Sequence, residues 1–300
     1  MPRHASYVPH GVIPAVLLPF DNDFAIDEAS FRKHLRDVAA VEGLSAITIN
    51  AHSTEVASCT FDEQRRVLEI AQDEVGTRLP LINGVWADGS MEAARIARMA
   101  AQGGASALLV FPPAPFTLGQ SPAMTLAHFR RIADATDLPL IVFQYPLSTG
   151  QGYPKETLLK LCDEIPSIRA IKDWIDNVPH HDWHIRTLQN LARPVNVLTT
   201  HSSWLFSSLV LGCNGLLSQC FPQLMKQPCI LDCDNSLSGK ILNNFDLFIG
   251  ERPDLLATDY ERTHQFTVLQ QRHSEHRSDT ANFHGRNSRR VSFNVSLISS

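Results

Sequence analysis

From about residue 10 to about residue 220, short apolar runs alternate with longer amphipathic segments. The runs are brief and uniformly hydrophobic, which is typical of parallel strands that are covered on both faces. The segments between them repeat apolar residues at helical spacing. The eight runs are GVIPAVLLPF, LSAITIN, LPLINGVW, ALLVFPP, LPLIVFQYP, IRAIKDW, VNVLTTH and NGLLS.

Local signals indicate where several of the helices begin and end. Helices are predicted over residues 30–41, 62–75, 90–102, 123–136 and 155–164. Asp27 precedes the first helix, and Thr60 with Glu63 forms a capping-box pattern before the second. Gly76 and Gly103 supply stops after the second and third helices.

Eight strand–helix alternations predict an α/β protein, a (β/α)8 TIM barrel over residues 10–220 with an irregular C-terminal tail. A doubly wound open sheet is the rival architecture, but neither GxGxxG nor a P-loop follows any run. Residues 221–300 lose the pattern after Pro222 and are rich in polar residues, so we predict an atypical segment that is weakly ordered or partly helical. A further hypothesis is that this tail is not native to the fold.

Composition and charge narrow the classes of partner. The 300 residues are 44% hydrophobic, and the formal net charge of −5 gives no electrostatic reason to expect nucleic acid. No run approaches the roughly 18 apolar residues of a membrane span, and the first residues lack the apolar core of a secretory signal. The six cysteines form no CxxC pair, so we expect reduced thiols and a cytoplasmic location.

Polar residues follow the apolar runs, and in a parallel barrel the carboxyl ends of the strands meet at one mouth. Lys172 is the most informative of these residues, because a lone amine at the end of a buried strand is costly unless it is paired or neutral. Desolvation lowers the pKa of such an amine until it can attack a carbonyl and form a Schiff base. The alternative is a structural lysine paired with Asp173.

The order and spacing of these segments resemble the dihydrodipicolinate synthase and N-acetylneuraminate lyase superfamily of class I, Schiff-base-forming aldolases. GVIPAVLLPFDNDFAIDEASFRKHL is similar to the first strand and helix of that family, and NAHSTEV stands in place of its GTTGE-type loop. LPLIVFQYP takes the place of its tyrosine-bearing strand, IRAIKDW matches its GIKD strand, and LGCNGLLS matches its glycine-bearing eighth strand. The resemblance covers roughly residues 10–220. It implies a lyase or aldolase acting on a pyruvate-type 2-oxo acid, without a metal or organic cofactor, in a homo-oligomer.

The resemblance also implies roles for individual residues. Lys172 would form the Schiff base, and the Ser53 hydroxyl would take the proton-relay position. Backbone N–H groups around Ser53 and Thr54 would hold the carboxylate of the 2-oxo acid. At the end of the eighth strand, Leu217 and Ser218 are expected to contact the substrate. The protonated imine would accept the electrons of a broken carbon–carbon bond as an enamine.

Several positions depart from the family pattern. Phe143 stands at the relay tyrosine and cannot move a proton, so it is expected only to line the substrate pocket. Tyr145 lies two residues further on, on the same face of a regular strand, and His52 replaces a hydroxyl residue. Either is a candidate acid or base, and a packing tyrosine and a neutral loop histidine are the alternatives. Ser148 replaces an arginine that binds a second carboxylate, so a true dihydrodipicolinate synthase is not expected.

Other departures affect the walls of the site. The segment 111–116 lacks the tyrosines of the family and makes the mouth more apolar. Ala51 and Thr54 stand where the family has glycines, which leaves the shape of the anion-binding loop open. Trp174 is interpreted as a packing residue, whereas Trp86 either walls the cleft or fills the barrel.

A cluster of histidines raises one further option. His180, His181 and His184 have a spacing that suits a metal on one helix turn, but we interpret them as a solvated helix face. A metal-dependent aldolase that uses them, and a catalytically weak barrel that binds oxo acids, are the alternative hypotheses.

Overall fold

The computed structural model describes His4 and residues 6–219. The predicted C-terminal segment 221–300 lies outside the described residues, and so does the prediction that it is weakly ordered or partly helical.

The described residues contain eight parallel strands that close into a barrel in sequence order. Each strand pairs with the next, and β8 returns to β1, where Gly11 faces Gly215 and Ile13 faces Leu217. This closure confirms the predicted (β/α)8 barrel and excludes the open doubly wound sheet. The strands are β1 (Gly11–Ala15), β2 (Ile47–Ile49), β3 (Leu81–Val85), β4 (Ala107–Val110), β5 (Leu140–Gln144), β6 (Ile168–Asp173), β7 (Asn196–Thr199) and β8 (Gly215–Gln219).

Seven α-helices alternate with these strands in the described part of the chain. The predicted caps are present: the Asp27 carboxylate accepts from Ser30 N, and Thr60 and Glu63 form a reciprocal capping box. Among the described helices, none has both the length and the apolar character of a membrane span. The helices are α1 (Glu28–Ala39), α2 (Phe61–Glu74), α3 (Ser90–Gln102), α4 (Pro122–Ala133), α5 (Lys155–Glu164), α6 (Val178–Leu188) and α7 (Leu205–Val210).

Alternation along the strands divides the core into two layers. Successive strand side chains point to opposite faces, so one set fills the barrel and the other packs under the helices. Ile141, Phe143 and Ala170 belong to the interior cluster, whereas Val142 and Ile171 belong to the outer one. The same alternation directs neighbouring residues at the end of β6 to opposite sides of the wall.

The chain leaves β2 through a left-handed turn at Asn50, whose φ is 51°. The Asn50 side-chain amide donates to Gln64 O and Asn83 Oδ1, at 2.9 and 2.8 Å. Gly84 of β3 passes so close that a Cβ at this position would lie 1.8 Å from Asn50 O. Glycine at position 84 is therefore required for the loop that follows Asn50 to keep its place on the barrel.

We expect Gly84→Ala to lower the free energy of unfolding by at least about 2 kcal/mol, because the backbone it meets cannot yield as a side chain can. The measurement is chemical denaturation. Gly89→Ala is the matched control, since a Cβ there meets nothing within 4 Å; it should cost no more than about 1 kcal/mol. Equal losses in the two variants would contradict the requirement at position 84.

Candidate active site

Lys172 enters the barrel from the carboxyl end of β6 and is 7% exposed. Its Nζ lies over the ring of Phe143, 4.1 Å from the centroid. Burial lowers the pKa of Lys172 from its ordinary 10.5 to about 7. A large share of this amine is therefore uncharged near neutral pH, which is the state that attacks a carbonyl.

His52 and Tyr145 form a hydrogen-bonded pair beside this amine. Tyr145 Oη lies 2.9 Å from His52 Nε2, although the two residues come from the loop after β2 and the end of β5. Burial, and secondarily the charge of Lys172, lowers the pKa of His52 to about 4. Burial also raises the pKa of Tyr145 well above its ordinary value. Both groups are thus neutral near pH 7 and share one hydrogen bond.

The loop after β2 forms a 3-10 turn over His52–Thr54. Thr54 closes this turn, since its backbone N–H and its hydroxyl both donate to Ala51 O, at 3.1 and 2.9 Å. Ser53 is 3% exposed on the same turn. Within the described residues, no acceptor takes the backbone N–H of His52 or Ser53. The sequence predicted that N–H groups around Ser53 and Thr54 hold the carboxylate. In the structure the unengaged N–H groups are those of His52 and Ser53, because Thr54 N–H is used inside the loop.

The turn obtains its shape without the family's glycines. Asn50 and Glu55 flank it and take left-handed backbone angles, with φ of 51° and 50°. Asparagine tolerates this region better than most residues, and its side chain is tied down here as described above. Ala51 and Thr54 can therefore replace glycines, because the left-handed positions lie on either side of them.

An aromatic wall, which we define as Trp86, Phe111, Phe143, Tyr145 and Trp174, lines the barrel on the side of the amine, which lies over Phe143. Ring centroids are 5.3 Å apart for Trp86–Phe111 and for Phe111–Phe143, 4.6 Å for Phe143–Tyr145 and 5.2 Å for Tyr145–Trp174. Strand alternation is the signal that finds these residues, since each lies two residues after another inward position. Trp174 follows Lys172 in this way and packs against Phe143 and Tyr145, in agreement with its interpretation as a packing residue.

Asp173 points to the other face of β6 and binds two histidines of α6. His181 Nδ1 and His184 Nδ1 lie 2.8 and 2.7 Å from Asp173 Oδ2, and all three side chains are buried. Burial alone would raise the pKa of Asp173, but the charge of His184 and the hydrogen bonds from both histidines lower it well below its ordinary value.

This cluster corrects two interpretations from the sequence. The solvated helix face is wrong for His181 and His184, because positions three apart on α6 face the same buried carboxylate. His180 is only partly exposed, and its ring stacks on that of His184. The structural pair of Lys172 with Asp173 is also wrong, since alternation directs the two side chains apart. In the part of the chain that the structure describes, no three His, Cys, Asp or Glu side chains are arranged to hold a metal ion.

The remaining predicted residues lie at varying distances from this centre. Leu217 is fully buried in the barrel interior. Ser218 follows it on the opposite face by alternation, and its hydroxyl donates to Thr200 O at 3.3 Å. Ser148 is exposed in the turn Leu147–Thr149 and donates to Asp176 Oδ2 at 3.2 Å. The described contacts therefore join Lys172, Phe143, Tyr145 and His52, but not Ser148 or Ser218.

The fold and the site define a (β/α)8-barrel protein with its titratable groups at the carboxyl ends of the strands, where barrel enzymes carry their catalytic groups. A model described as the dihydrodipicolinate synthetase family matches residues 8–229. The chain therefore belongs to the dihydrodipicolinate synthetase family.

Individual relatives agree with this assignment. The chain is 35% identical over 163 residues to a 4-hydroxy-tetrahydrodipicolinate synthase of Salinibacter ruber. The matched region covers 54% of this chain and 53% of the relative. It is 34% identical over 212 residues to an uncharacterised DapA-like lyase of Halobacterium salinarum. Here the matched region covers 70% of this chain and 66% of that protein. The match thus covers less than two thirds of the length of either relative.

The solved structure of YagE from Escherichia coli K12, in complex with pyruvate, has the same fold. It superposes with a TM-score of 0.72 at 24% identity and covers 86% of each chain.

We expect Asp173→Asn to lower the free energy of unfolding by about 3 kcal/mol at neutral pH, because it removes the charge that two buried imidazoles bind. The folded-state pKa of Asp173 is lowered, so its contribution is complete above the unfolded pKa of about 3.9 and is lost as the pH falls below it. The difference in the free energy of unfolding between the native protein and the variant should therefore shrink below about pH 4.

Urea unfolding at several pH values measures this gap. Asp182→Asn is the control on the same helix, because Asp182 forms an i,i+4 ion pair with Arg186 at the surface; it should cost no more than about 1 kcal/mol. A gap that stays constant down to about pH 3 would overturn the assignment.

Proposed function

We propose that the chain is a class I aldolase or lyase in which Lys172 forms a Schiff base with a pyruvate-type 2-oxo acid. One observation carries this proposal: a buried amine with a pKa lowered to about 7 lies at the barrel mouth, next to a neutral imidazole–phenol pair. Amines of this kind are the nucleophiles of imine-forming enzymes.

Membership of the family supports a lyase. Relatives are named as a 4-hydroxy-tetrahydrodipicolinate synthase and a DapA-like lyase. The YagE structure holds pyruvate, which makes pyruvate the first oxo acid to test. A homo-oligomer and a cytoplasmic location stay predictions. A solved dihydrodipicolinate synthase variant of the same fold, with a TM-score of 0.72, is described as monomeric.

In the proposed reaction the neutral Lys172 Nζ attacks the C2 carbonyl of the oxo acid. Two proton transfers release the carbonyl oxygen as water and leave a protonated imine. This cation then takes up an electron pair, either from a C3–H bond or from the C3–C4 bond of a larger substrate, and becomes an enamine. Attack of the enamine on an aldehyde forms a carbon–carbon bond, and water finally hydrolyses the imine to free the amine.

Protons in this scheme travel through the His52–Tyr145 pair. A phenol that bonds to a neutral imidazole can give its proton to a developing hydroxyl and recover one from the imidazole side. This assigns Tyr145 and His52 one shared role, where the sequence treated them as alternatives. For Ser53, on the turn that begins at His52, the proposal adopts the relay role that the resemblance implies.

Phe143 has a different role from the tyrosine that it replaces. Its ring face lies 4.1 Å from the amine and favours the cationic imine electrostatically, while it offers no proton. The 2-oxo acid carboxylate is held by the unengaged N–H groups of His52 and Ser53. These two donors give the anion hydrogen bonds beside the cationic imine, near a wall that is mostly aromatic.

Phe143 favours one alternative, a barrel that binds oxo acids with weak catalysis. In that case the imine would form, because Lys172 is unaffected, but protons would not move at C3. Imine trapping and exchange of the C3 protons therefore separate the two functions.

We expect cyanoborohydride with pyruvate to attach one reduced adduct to Lys172, read by peptide mass spectrometry. The initial rate should rise about tenfold between about pH 6 and about pH 8, because the uncharged fraction of an amine with a pKa near 7 rises by that factor. Lys172→Ala should give no adduct. Lys160→Ala, at an exposed lysine that pairs with Glu164, should trap like the native protein. An adduct on any other lysine, or none, would contradict the proposal.

We expect Tyr145→Phe to slow deuterium exchange at C3 of pyruvate about 100-fold while imine trapping continues, because the variant loses only the proton carrier. Proton NMR in D2O measures the exchange. Tyr153→Phe is the matched control: the Tyr153 hydroxyl is buried without a partner among the described residues. A double variant with His52→Leu should be no slower than the slower single variant, since the pair acts as a unit. Unchanged exchange in Tyr145→Phe would remove the phenol from the relay.

A further inference from the structure

We propose that the second substrate, the aldehyde that the enamine attacks, is a neutral aromatic aldehyde that binds against the aromatic wall. This inference rests on the proposed function and specifies its acceptor. Neither the family assignment nor the resemblance to the named relatives assigns such a substrate to this chain.

The aromatic wall connects the amine to the rim of the barrel. Phe143 contacts the amine directly, and Phe111 and Trp86 continue the row of rings with centroids 5.3 Å apart at each step. On the other side Trp174 packs edge-on against Tyr145 at 5.2 Å. Trp86 and Trp174 are only partly buried, so part of each residue remains accessible. Aromatic guests pair with such surfaces in offset or edge-to-face geometry.

The charges near the mouth disfavour an acceptor that carries its own carboxylate. A second carboxylate requires a guanidinium or a comparable set of donors. Ser148 is the residue at the position where the resemblance puts an arginine, and it bonds to the acidic side chain of Asp176. This exposed turn therefore offers an anionic group a carboxylate instead of a cation, although the described contacts do not join it to Lys172.

The polar groups beside the amine do not favour a polyhydroxylated acceptor either. The Tyr145 hydroxyl and His52 Nε2 are hydrogen-bonded to each other. The ring of Phe143, which contacts the amine, and the neighbouring ring of Phe111 have no hydrogen-bonding atoms. Sugar hydroxyls moved from water onto the rings of Phe111 and Phe143 would lose hydrogen bonds that these two rings do not replace.

The step is an aldol addition without any external oxidant or reductant. The enamine carbon, which is C3 of pyruvate, attacks the aldehyde carbon and forms a carbon–carbon bond. The carbonyl electron pair moves to the aldehyde oxygen, which takes a proton from Tyr145, while the enamine nitrogen becomes a protonated imine. Water hydrolyses the imine to regenerate Lys172 and release a 4-aryl-4-hydroxy-2-oxobutanoate.

The test supplies pyruvate with one of three aldehydes: benzaldehyde, its carboxylated counterpart 4-formylbenzoate, and glyceraldehyde. Product formation is read by mass spectrometry, and cyanoborohydride trapping with pyruvate alone runs in parallel. We expect kcat/KM for benzaldehyde to exceed that for each of the others at least about tenfold. A faster reaction with 4-formylbenzoate or glyceraldehyde would overturn the acceptor class.

The parallel trapping keeps two failures distinct. If pyruvate is trapped on Lys172 and exchanges its C3 protons but no aldehyde is consumed, the acceptor inference fails and the proposed function stands. If pyruvate gives no adduct, the proposed function fails and the acceptor inference fails with it.

Substitutions test whether the aldehyde binds at the aromatic wall. Trp86→Ala should lower kcat/KM for benzaldehyde about tenfold, whereas Trp183→Ala, outside the wall on α6, should leave it unchanged. The double variant S148R/D176N alters two exposed side chains and should raise kcat/KM for 4-formylbenzoate at least about fivefold relative to benzaldehyde. Benzaldehyde turnover that is insensitive to Trp86→Ala, or a double variant without altered preference, would contradict binding at this wall.

Discussion

The removal of one amine from water is the constraint on which the rest of the site depends. Lys172 lies inside the barrel, over the face of Phe143, and burial brings its pKa to about 7. An unpaired charged ammonium is costly in such a place, so the uncharged form becomes accessible at neutral pH. The barrel provides the dry surroundings, and the end of β6 provides access to solvent. The lowered pKa of the amine thus results from its buried position.

Two adjacent residues of β6 meet the cost of burial in opposite ways. Lys172 points inward and loses its charge, whereas Asp173 points outward and keeps its charge through two histidine partners on α6. The pKa falls in both cases, yet the physical causes differ: desolvation acts on the lysine, and charges and hydrogen bonds act on the aspartate. The buried anion also ties α6 to the strand that carries the amine, which fixes the backbone beneath Lys172.

The proposed function assigns proton handling to side chains other than the one that the family resemblance implies. Phe143 leaves the usual relay position without a hydroxyl, while Tyr145 and His52 form a hydrogen bond close by. Tyr145, just after β5, shares the inward face of Phe143, since the two aromatic positions differ by two residues. Phe143 and Tyr145 together belong to the aromatic wall beside the amine, and this wall is the basis for the proposed acceptor.

The sequence by itself determined the barrel, because runs too uniformly apolar for half-exposed strands alternate with capped amphipathic helices in a fixed order. It also determined that Lys172 lies at the end of a buried strand, since an apolar run precedes it. It determined further that Tyr145 shares a face with Phe143, since side chains alternate between the two faces of a strand. Only the tertiary structure decided that His52 meets Tyr145 across 93 residues, that Thr54 uses its own N–H inside the loop, and that His181 and His184 are buried on Asp173. The reason is that sequence pattern and spacing indicate which face of a helix or strand is apolar. Hydrogen bonds between elements depend instead on how loops close and how helices are rotated against strands. Neither of these can be deduced from the periodicity of one segment.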